Sequence, residues 1–140
     1  MSRTQEHASA ARASERGTRP VSVVLVDDHA LVRLLLRRAI ADHGGLRVAG
    51  EADDTDAGVA LVARLRPEVV VLDLGLAGMD PLEATAAIRE LVPDCGILVF
   101  SAFDAERHAP AVLRAGADGY VEKRAGFQAA AVAVAALAAL

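Results

Sequence analysis

The chain is poor in cysteine, in aromatic residues and in net charge, and each shortage argues against a class of protein. Its one cysteine, Cys95, cannot form an intrachain disulfide, which suits the reducing cytoplasm where we expect the protein to work. The net charge of -4 argues against a basic nucleic-acid-binding surface over the whole chain. The longest apolar run, residues 129–140, is shorter than the ~20 residues that a membrane-spanning helix needs. With 54% hydrophobic and 3% aromatic residues, the core must be aliphatic.

Residues 1–20 contain no apolar segment that could act as a secretory signal. They are rich in Arg and Ser, as transit peptides are, but Glu6 and Glu15 argue against that alternative. We therefore expect residues 1–20 to form a disordered tail, and residues 21–140 to form one domain large enough to bury a core.

Aliphatic runs alternate with helical patterns along the rest of the chain. The clearest run, residues 68–73, follows Pro67 and ends in Asp73, which is typical of a strand buried on both faces. We predict strands at 21–26, 46–51, 68–73, 96–100 and 117–122, and helices at 29–43, 55–66, 81–91, 104–115 and from Arg124. This order predicts an α/β fold, a doubly wound (βα)5 parallel sheet with helices on both faces.

Polar residues stand at the carboxyl ends of four predicted strands, namely Asp27, Asp28, Asp73, Ser101 and Lys123. A parallel sheet brings these ends to one edge. Two carboxylates about 4 Å apart repel by roughly 4 kcal/mol at an effective dielectric near 20, so such a cluster favours a bound cation. Oxygen ligands favour a hard ion, and Mg²⁺ fits best. Together with a Lys and a hydroxyl, these groups predict a phosphoryl-accepting site.

Several separated motifs carry a family resemblance. The sequences VDDH at 26–29, LVR at 31–33 and AGADGYVEK at 115–123 resemble the receiver domain of bacterial two-component response regulators, in the LuxR/NarL-type branch of the CheY-like superfamily. The resemblance covers residues 21–140. It implies a flavodoxin-like sheet with the strand order 2-1-3-4-5, the order known for CheY.

The resemblance also implies a role for each polar residue. Asp73 would accept a phosphoryl group from the phosphohistidine of a sensor histidine kinase. Mg²⁺ would be bound by Asp28 directly, by Asp27 through water, by Asp73 and by the backbone carbonyl of Gly75. The residues expected to hold the phosphoryl oxygens or to switch with them are Ser101, Lys123 and Tyr120. Such a domain is a switch rather than an enzyme, with at most its own phosphorylation and dephosphorylation as chemistry.

Simpler interpretations remain for individual residues. Asp28 could be the N-cap of the first helix, Lys123 a solvated charge and Tyr120 a half-buried strand residue, while His29 suits the start of the first helix and Cys95 suits the core. A haloacid-dehalogenase-type phosphatase would need a second Asp two residues after its nucleophile, and Gly75 occupies that place after Asp73. A receiver fold that acts as a phosphorylation-independent or stand-alone interaction module is the main alternative.

The chain departs from the family pattern at a few positions. Ala77 replaces the usual Pro of the loop after Asp73, which should loosen that loop, and Pro81 should stiffen the following helix start. Arg124 follows Lys123 where some relatives have Pro. Pro110 lies within the predicted helix 104–115, so we expect that helix to start late, near His108, or to be kinked. Slow amide exchange over residues 104–109 would contradict this expectation.

The last helix carries Ala, Gln128 and Val132 on the side opposite Phe127, Val134, Leu137 and Leu140. Leu34 faces outward on the first helix by the same construction. We therefore expect a homodimer or a docking surface that uses the first and last helices, although small Ala side chains also tolerate exposure. LuxR/NarL-type regulators carry a DNA-binding output domain after the receiver, so any contact with DNA would need a domain outside these residues.

Overall fold

The computed structural model describes residues 19–140, so the predicted disordered tail lies almost entirely outside the described residues. Five strands and five helices alternate along residues 19–140. The strands are β1 (Val21–Val26), β2 (Leu46–Ala52), β3 (Val69–Leu72), β4 (Gly96–Ser101) and β5 (Gly119–Glu122). The helices are α1 (Ala30–His43), α2 (Thr55–Leu65), α3 (Pro81–Leu91), α4 (Ala105–Ala115) and α5 (Phe127–Ala138). A 3-10 turn, Lys123–Ala125, joins β5 to α5.

The strands form one parallel sheet in the order β2-β1-β3-β4-β5. This confirms the predicted fold class and the order that the family resemblance implies. β1, β3 and β4 lie inside the sheet, and all four residues of β3 are buried. Because β3 is buried on both faces, its sequence is a continuous aliphatic run with no polar alternation.

The two faces of the sheet bury separate aliphatic clusters. On one face α1 and α5 pack against the sheet, with Leu36, Ile40 and Val134 at the centre of the cluster. On the other face α2, α3 and α4 each contribute to the second cluster, through Val62, Ile88 and Val112. Alternate residues of β1 enter the two clusters, since successive side chains of a strand point to opposite faces.

The register of β1 and β2 contains an irregularity. Val23 pairs with Val48, but Val24 pairs with Gly50, so Ala49 is an extra residue in β2. Beyond this bulge Leu25 pairs with Glu51. Leu25 belongs to the cluster under α1 and α5, and Glu51 therefore lies on the α1 side of the sheet.

The predicted N-cap of α1 is wrong. His29, not Asp28, occupies the cap position, and no side chain there bonds the helix start. Asp27 instead accepts the His29 N–H through Oδ1 at 2.9 Å. The buried Asp27 carboxylate, rather than Asp28, thus organises the turn before α1. The Asp28 side chain is 46% exposed.

The expectation that the Pro110 helix starts late is also wrong. α4 begins at Ala105 with Pro110 inside it. Asp104 caps the first turn through the Glu106 N–H, and the His108 N–H reaches the Asp104 carbonyl at 3.1 Å. Pro110 removes one bond, to the Glu106 carbonyl, which a capped first turn tolerates. The kink and the amide-exchange pattern stay predictions.

The carboxyl-terminal elements are shorter than predicted. β5 starts at Gly119; just before it, the Asp118 N–H donates to the Ile97 carbonyl at 2.8 Å and the Asp118 carboxylate accepts the Ile97 N–H at 2.8 Å. α5 starts at Phe127, after the 3-10 turn. Val132 and Leu34 are 58% and 49% exposed, as the helical wheel predicts. Between residues 19 and 140, no helix combines the length and the apolar character that crossing a bilayer requires.

Candidate functional site

The structure brings the polar residues predicted at the strand ends together at one edge of the sheet. Asp27 follows β1, Asp73 follows β3, and both side chains are buried. The backbone fixes both positions, since the Asp27 N–H donates to Ala52 and the Asp73 N–H donates to Val26. Two acids are thus held side by side by the sheet itself.

Lys123 lies between these two acids. Its Nζ is 2.9 Å from Asp27 Oδ2 and 3.5 Å from Asp73 Oδ2, and its side chain is 19% exposed. The 3-10 turn after β5 delivers this ammonium group to the acids of β1 and β3. An ammonium so placed attracts anions into the site and offsets the repulsion between the carboxylates.

The acids of the site could hold a metal ion. One ligand atom from each of Asp27, Asp28, His29 and Asp73 lies within 4.8 Å of the other three. His29, interpreted from the sequence as part of the helix start, has its Nδ1 3.0 Å from Asp28 Oδ1. Three carboxylates beside a solvent-open mouth are the donor set that Mg²⁺ prefers, because Mg²⁺ takes oxygen ligands and keeps several waters. The residues present fit that ion.

The electrostatics of Asp73 are unusual. Burial raises the pKa of the Asp73 carboxyl above its ordinary value, and the neighbouring Asp27 raises it further. Lys123 acts in the opposite direction, as does a backbone hydrogen bond from Gly75. A desolvated carboxylate beside one ammonium group is poorly solvated, which suits a nucleophile.

Gly75 is close to Asp73, in the loop between β3 and α3. A side chain there would meet Asp73 Oδ2 at 3.8 Å and the Phe103 ring at 3.9 Å. This places the Gly75 backbone next to the carboxylate, where the predicted carbonyl ligand would have to be.

Ser101 and Tyr120 converge on the backbone of Phe103 rather than on Asp73. The buried Ser101 Oγ accepts the Phe103 N–H at 3.1 Å, and the Tyr120 hydroxyl donates to the Phe103 carbonyl at 2.8 Å. Burial raises the pKa of the Tyr120 hydroxyl, and a hydrogen bond with Ser101 opposes this shift. Both side chains therefore hold the loop between β4 and α4.

Sequence reasoning missed the role of Arg33. Its guanidinium donates to the Asp27 carbonyl and, through Nε, to Glu51 Oε1 at 3.0 Å. Arg37 donates to the other Glu51 oxygen at 2.6 Å. In the sequence, Arg33 and Arg37 are visible as interruptions of the aliphatic pattern of α1. Their partners are the Asp27 backbone carbonyl and the Glu51 carboxylate on β2, which both lie outside the helix.

Comparison with known proteins agrees with this geometry. Residues 23–135 match the family described as the response regulator receiver domain. Response regulator GacA of Pseudomonas aeruginosa is 36% identical over 108 residues, which cover 77% of this chain and 50% of that protein. Nitrate/nitrite response regulator protein NarL of Escherichia coli K12 is 35% identical over 104 residues, which cover 74% of this chain and 48% of that protein. The chain spans about half the length of these curated relatives.

A solved structure supports the same assignment. A two-component response regulator of the LuxR family from Aurantimonas sp. SI85-9A1 superposes with a TM-score of 0.80 at 35% identity, covering 86% of each chain. The motifs, the strand order, the cluster of acids and the relatives all agree. The chain belongs to the receiver domains of response regulators, close to those of the LuxR/NarL type.

Proposed function

We propose that this receiver accepts a phosphoryl group on Asp73 from a sensor histidine kinase and uses it to change its protein contacts. The observation that carries the proposal is the convergence of Asp27, Asp28, Asp73 and Lys123 at one edge of the sheet. Three acids and one ammonium group, delivered by three different strand ends, have no common packing reason to meet. The domain is a signalling switch rather than a turnover enzyme.

The transfer uses Asp73 as the nucleophile. One carboxylate oxygen of Asp73 forms the new O–P bond while the P–N bond of the kinase phosphohistidine breaks, and the departing imidazole retains its electron pair and takes a proton from solvent. Lys123 Nζ, 3.5 Å from Asp73 Oδ2, stabilises the negative charge of the phosphoryl oxygens. Mg²⁺, held by Asp27, Asp28, Asp73 and the Gly75 carbonyl, would neutralise further phosphoryl charge when bound.

The switch acts through Ser101 and Tyr120. When the Ser101 hydroxyl turns to a phosphoryl oxygen on Asp73, it gives up the Phe103 N–H that it now accepts. Tyr120, whose hydroxyl holds the Phe103 carbonyl, then changes position with the same loop. Phosphorylation biases an equilibrium between two arrangements of the loop between β4 and α4.

The proposed partners follow from the relatives. A histidine kinase would supply the phosphoryl group. Since the matched residues cover only about half of each relative, regulation of transcription would depend on a DNA-binding domain outside these residues. Exposed Leu34 and Val132 support a homodimer through α1 and α5. Light scattering before and after phosphorylation tests the dimer, and a monomer in both states would contradict it.

The decisive experiment is incubation with acetyl phosphate and Mg²⁺, followed by intact mass. We expect the wild-type protein to gain the mass of one phosphoryl group and Asp73→Asn to gain none. Asp80→Asn is the matched control, because Asp80 lies in the same loop but caps α3, a role that Asn also fills. A wild-type protein that gains no mass would favour the alternative, a phosphorylation-independent interaction module. A mass gain retained by Asp73→Asn would place the acceptor elsewhere.

A further inference from the structure

The loop between Asp73 and α3 is tied to the first turn of α2. The Thr55 hydroxyl lies 3.0 Å from the Ala77 carbonyl and 2.7 Å from the Met79 carbonyl, and its single proton is shared between these two acceptors. The Thr55 N–H donates to the Ala77 carbonyl as well, at 3.1 Å. Asp56 completes the contact, since its Oδ2 accepts the Met79 N–H at 3.2 Å. We call these four polar contacts the loop clamp.

The loop clamp draws the two segments together so closely that only glycine fits between them. Gly78 has a φ of +97°, a backbone conformation that residues with a side chain rarely adopt. A Cβ there would lie 2.6 Å from Asp56 Oδ2 and 2.8 Å from Thr55 Oγ1. The loop backbone at Gly78 therefore packs directly against the Thr55 hydroxyl and the Asp56 carboxylate.

The clamped segment directly follows Gly75. Its first held atom, the Ala77 carbonyl, is two residues beyond Gly75, which itself lies beside Asp73. The family's usual proline ring would stiffen the loop at residue 77, and Ala77 does not. In this chain the restraint comes from outside the loop, through α2.

We propose that Thr55 is a positioning residue of the acidic site, holding the loop so that the Gly75 backbone stays in place to bind the cation. This inference rests on the proposed function, because it requires that the site take Mg²⁺. Thr55 does not touch the acids. It acts on them through the loop, as outer residues orient the ligands of a metal.

A buried threonine could serve packing alone, and Thr85 shows what that looks like. Thr85 is as completely buried as Thr55, with 0% exposure for each. Its hydroxyl donates to the Pro81 carbonyl at 2.8 Å, within its own helix. Thr55→Val and Thr85→Val therefore remove the same group from equally buried positions, and only the first releases the loop.

The test compares Mg²⁺ dissociation constants, measured by titration of the full chain and followed through the amide NMR signal of Gly75. We expect Thr55→Val to weaken binding roughly tenfold, the lower end of what loss of a supporting hydrogen bond does to a metal site. Thr85→Val should stay within about twofold of the wild type. Thr55→Ser, which keeps the hydroxyl and loses the methyl group, should restore affinity even though it loses packing. Amide exchange of Met79 in the metal-free protein should speed up in Thr55→Val and not in Thr85→Val.

Each other outcome overturns a defined claim. Equal weakening by Thr55→Val and Thr85→Val, or weakening by Thr55→Ser as large as by Thr55→Val, would show that Thr55 serves packing. Unchanged affinity in Thr55→Val would show that the loop holds itself. If Thr55→Val does not fold, a tenfold loss in Thr55→Ser would likewise contradict the role of the hydroxyl. A wild-type protein that binds no Mg²⁺ would instead overturn the proposed function, and the inference with it.

Discussion

The two halves of the functional edge are held in different ways. On the acid half, formed by the loops after β1 and β3, the Asp27 backbone is bonded on both sides, by Ala52 and by Arg33, and the loop after Asp73 is clamped by α2. On the switch half, formed by the loops after β4 and β5, the Phe103 backbone is bonded by two side-chain hydroxyls, those of Ser101 and Tyr120. The Ser101 hydroxyl has a second proposed partner, a phosphoryl oxygen on Asp73, whereas the backbone bonds that fix Asp27 and Asp73 at the strand ends have no alternative partner in the proposed switch.

The helices differ in burial as well. α1, α2 and α3 each have three buried residues and α5 has four, whereas α4 has one, Val112. α4 also contains Pro110, which removes one of its hydrogen bonds. Regions with few buried contacts open at lower free energy than well-packed ones. The comparison teaches that the receiving groups are preorganised, while the part proposed to respond is lightly anchored.

Replacing Lys123 should have the largest effect, because Lys123 carries a charge from the switch half into the acid half. We expect Lys123→Met to slow phosphorylation by acetyl phosphate about 10²-fold, the lower end of what loss of one transition-state donor costs. The neighbouring Arg124 pairs with Glu122 and its side chain is 85% exposed, so Arg124→Gln should leave the rate unchanged. The rate is measured by intact mass over time, and a wild-type rate in Lys123→Met would contradict a role for Lys123 in the acid half.

Two glycines allow the halves to be compared directly. Gly78 on the acid half and Gly126 on the switch half have φ values of +97° and +100°, but only Gly78 is crowded. Gly126→Ala should lower the free energy of unfolding by about 1–3 kcal/mol, because its φ of +100° and ψ of 164° are adopted almost only by glycine. Gly78→Ala should cost a further 1–3 kcal/mol or so, because its Cβ would collide with Thr55 and Asp56. Denaturant unfolding measures both, and equal losses would contradict the tight clamp.

Tyr120→Phe should have a smaller effect, confined to the switch half. Loss of its hydrogen bond to the Phe103 carbonyl should lower the free energy of unfolding by about 1 kcal/mol. Amide exchange should speed up in the loop that contains Phe103, while the residues around Asp27 keep their exchange rates. Faster exchange on both halves would show that they are one mechanical unit.

The smallest effect concerns the pH dependence of stability. The pKa of Asp73 is raised above 3.8 in the folded protein, chiefly by burial, so the folded state holds this proton more strongly than the unfolded chain does. The ionised carboxylate therefore destabilises the metal-free protein, fully above the folded pKa and progressively less as the pH falls through it. Asp73→Asn should be more stable than the wild type at pH 7 in the presence of a chelator. Unfolding curves should show the difference shrinking on acidification, and a constant or growing difference would contradict the shift.

The fold and the acidic cluster could be predicted because their signals are local. An aliphatic run such as 68–73 predicts a buried strand, and the polar residue that ends it predicts a position at the ligand-binding edge. Clustering of Asp27, Asp73 and Lys123 then follows from the topology of a parallel sheet. The same rules placed Ser101 at this edge, but not the backbone group that its hydroxyl now binds.

The supporting contacts could not be predicted, because their partners are backbone atoms far away in sequence. The residues around Arg33 in the sequence do not indicate that it will bind the Asp27 carbonyl. Those around Thr55 do not indicate that it will bind the Ala77 and Met79 carbonyls. Pro110 misled for the opposite reason. Its local signal for a late helix start was outweighed by the Asp104 cap and the first-turn bonds, which form regardless of the ring further along.

The extra residue Ala49 in edge strand β2 has a consequence for the residues that support the acidic site. Side chains of a strand alternate between faces, so one inserted residue turns over every side chain after it. If Ala49 paired with Val24 in a regular ladder, Glu51 would pair with Val26 and point toward α2. Because Ala49 is bulged out of the ladder, Glu51 pairs with Leu25, points toward α1 and meets Arg33. The bulge in edge strand β2 therefore sets the orientation of the Arg33 guanidinium, which donates to the Asp27 carbonyl.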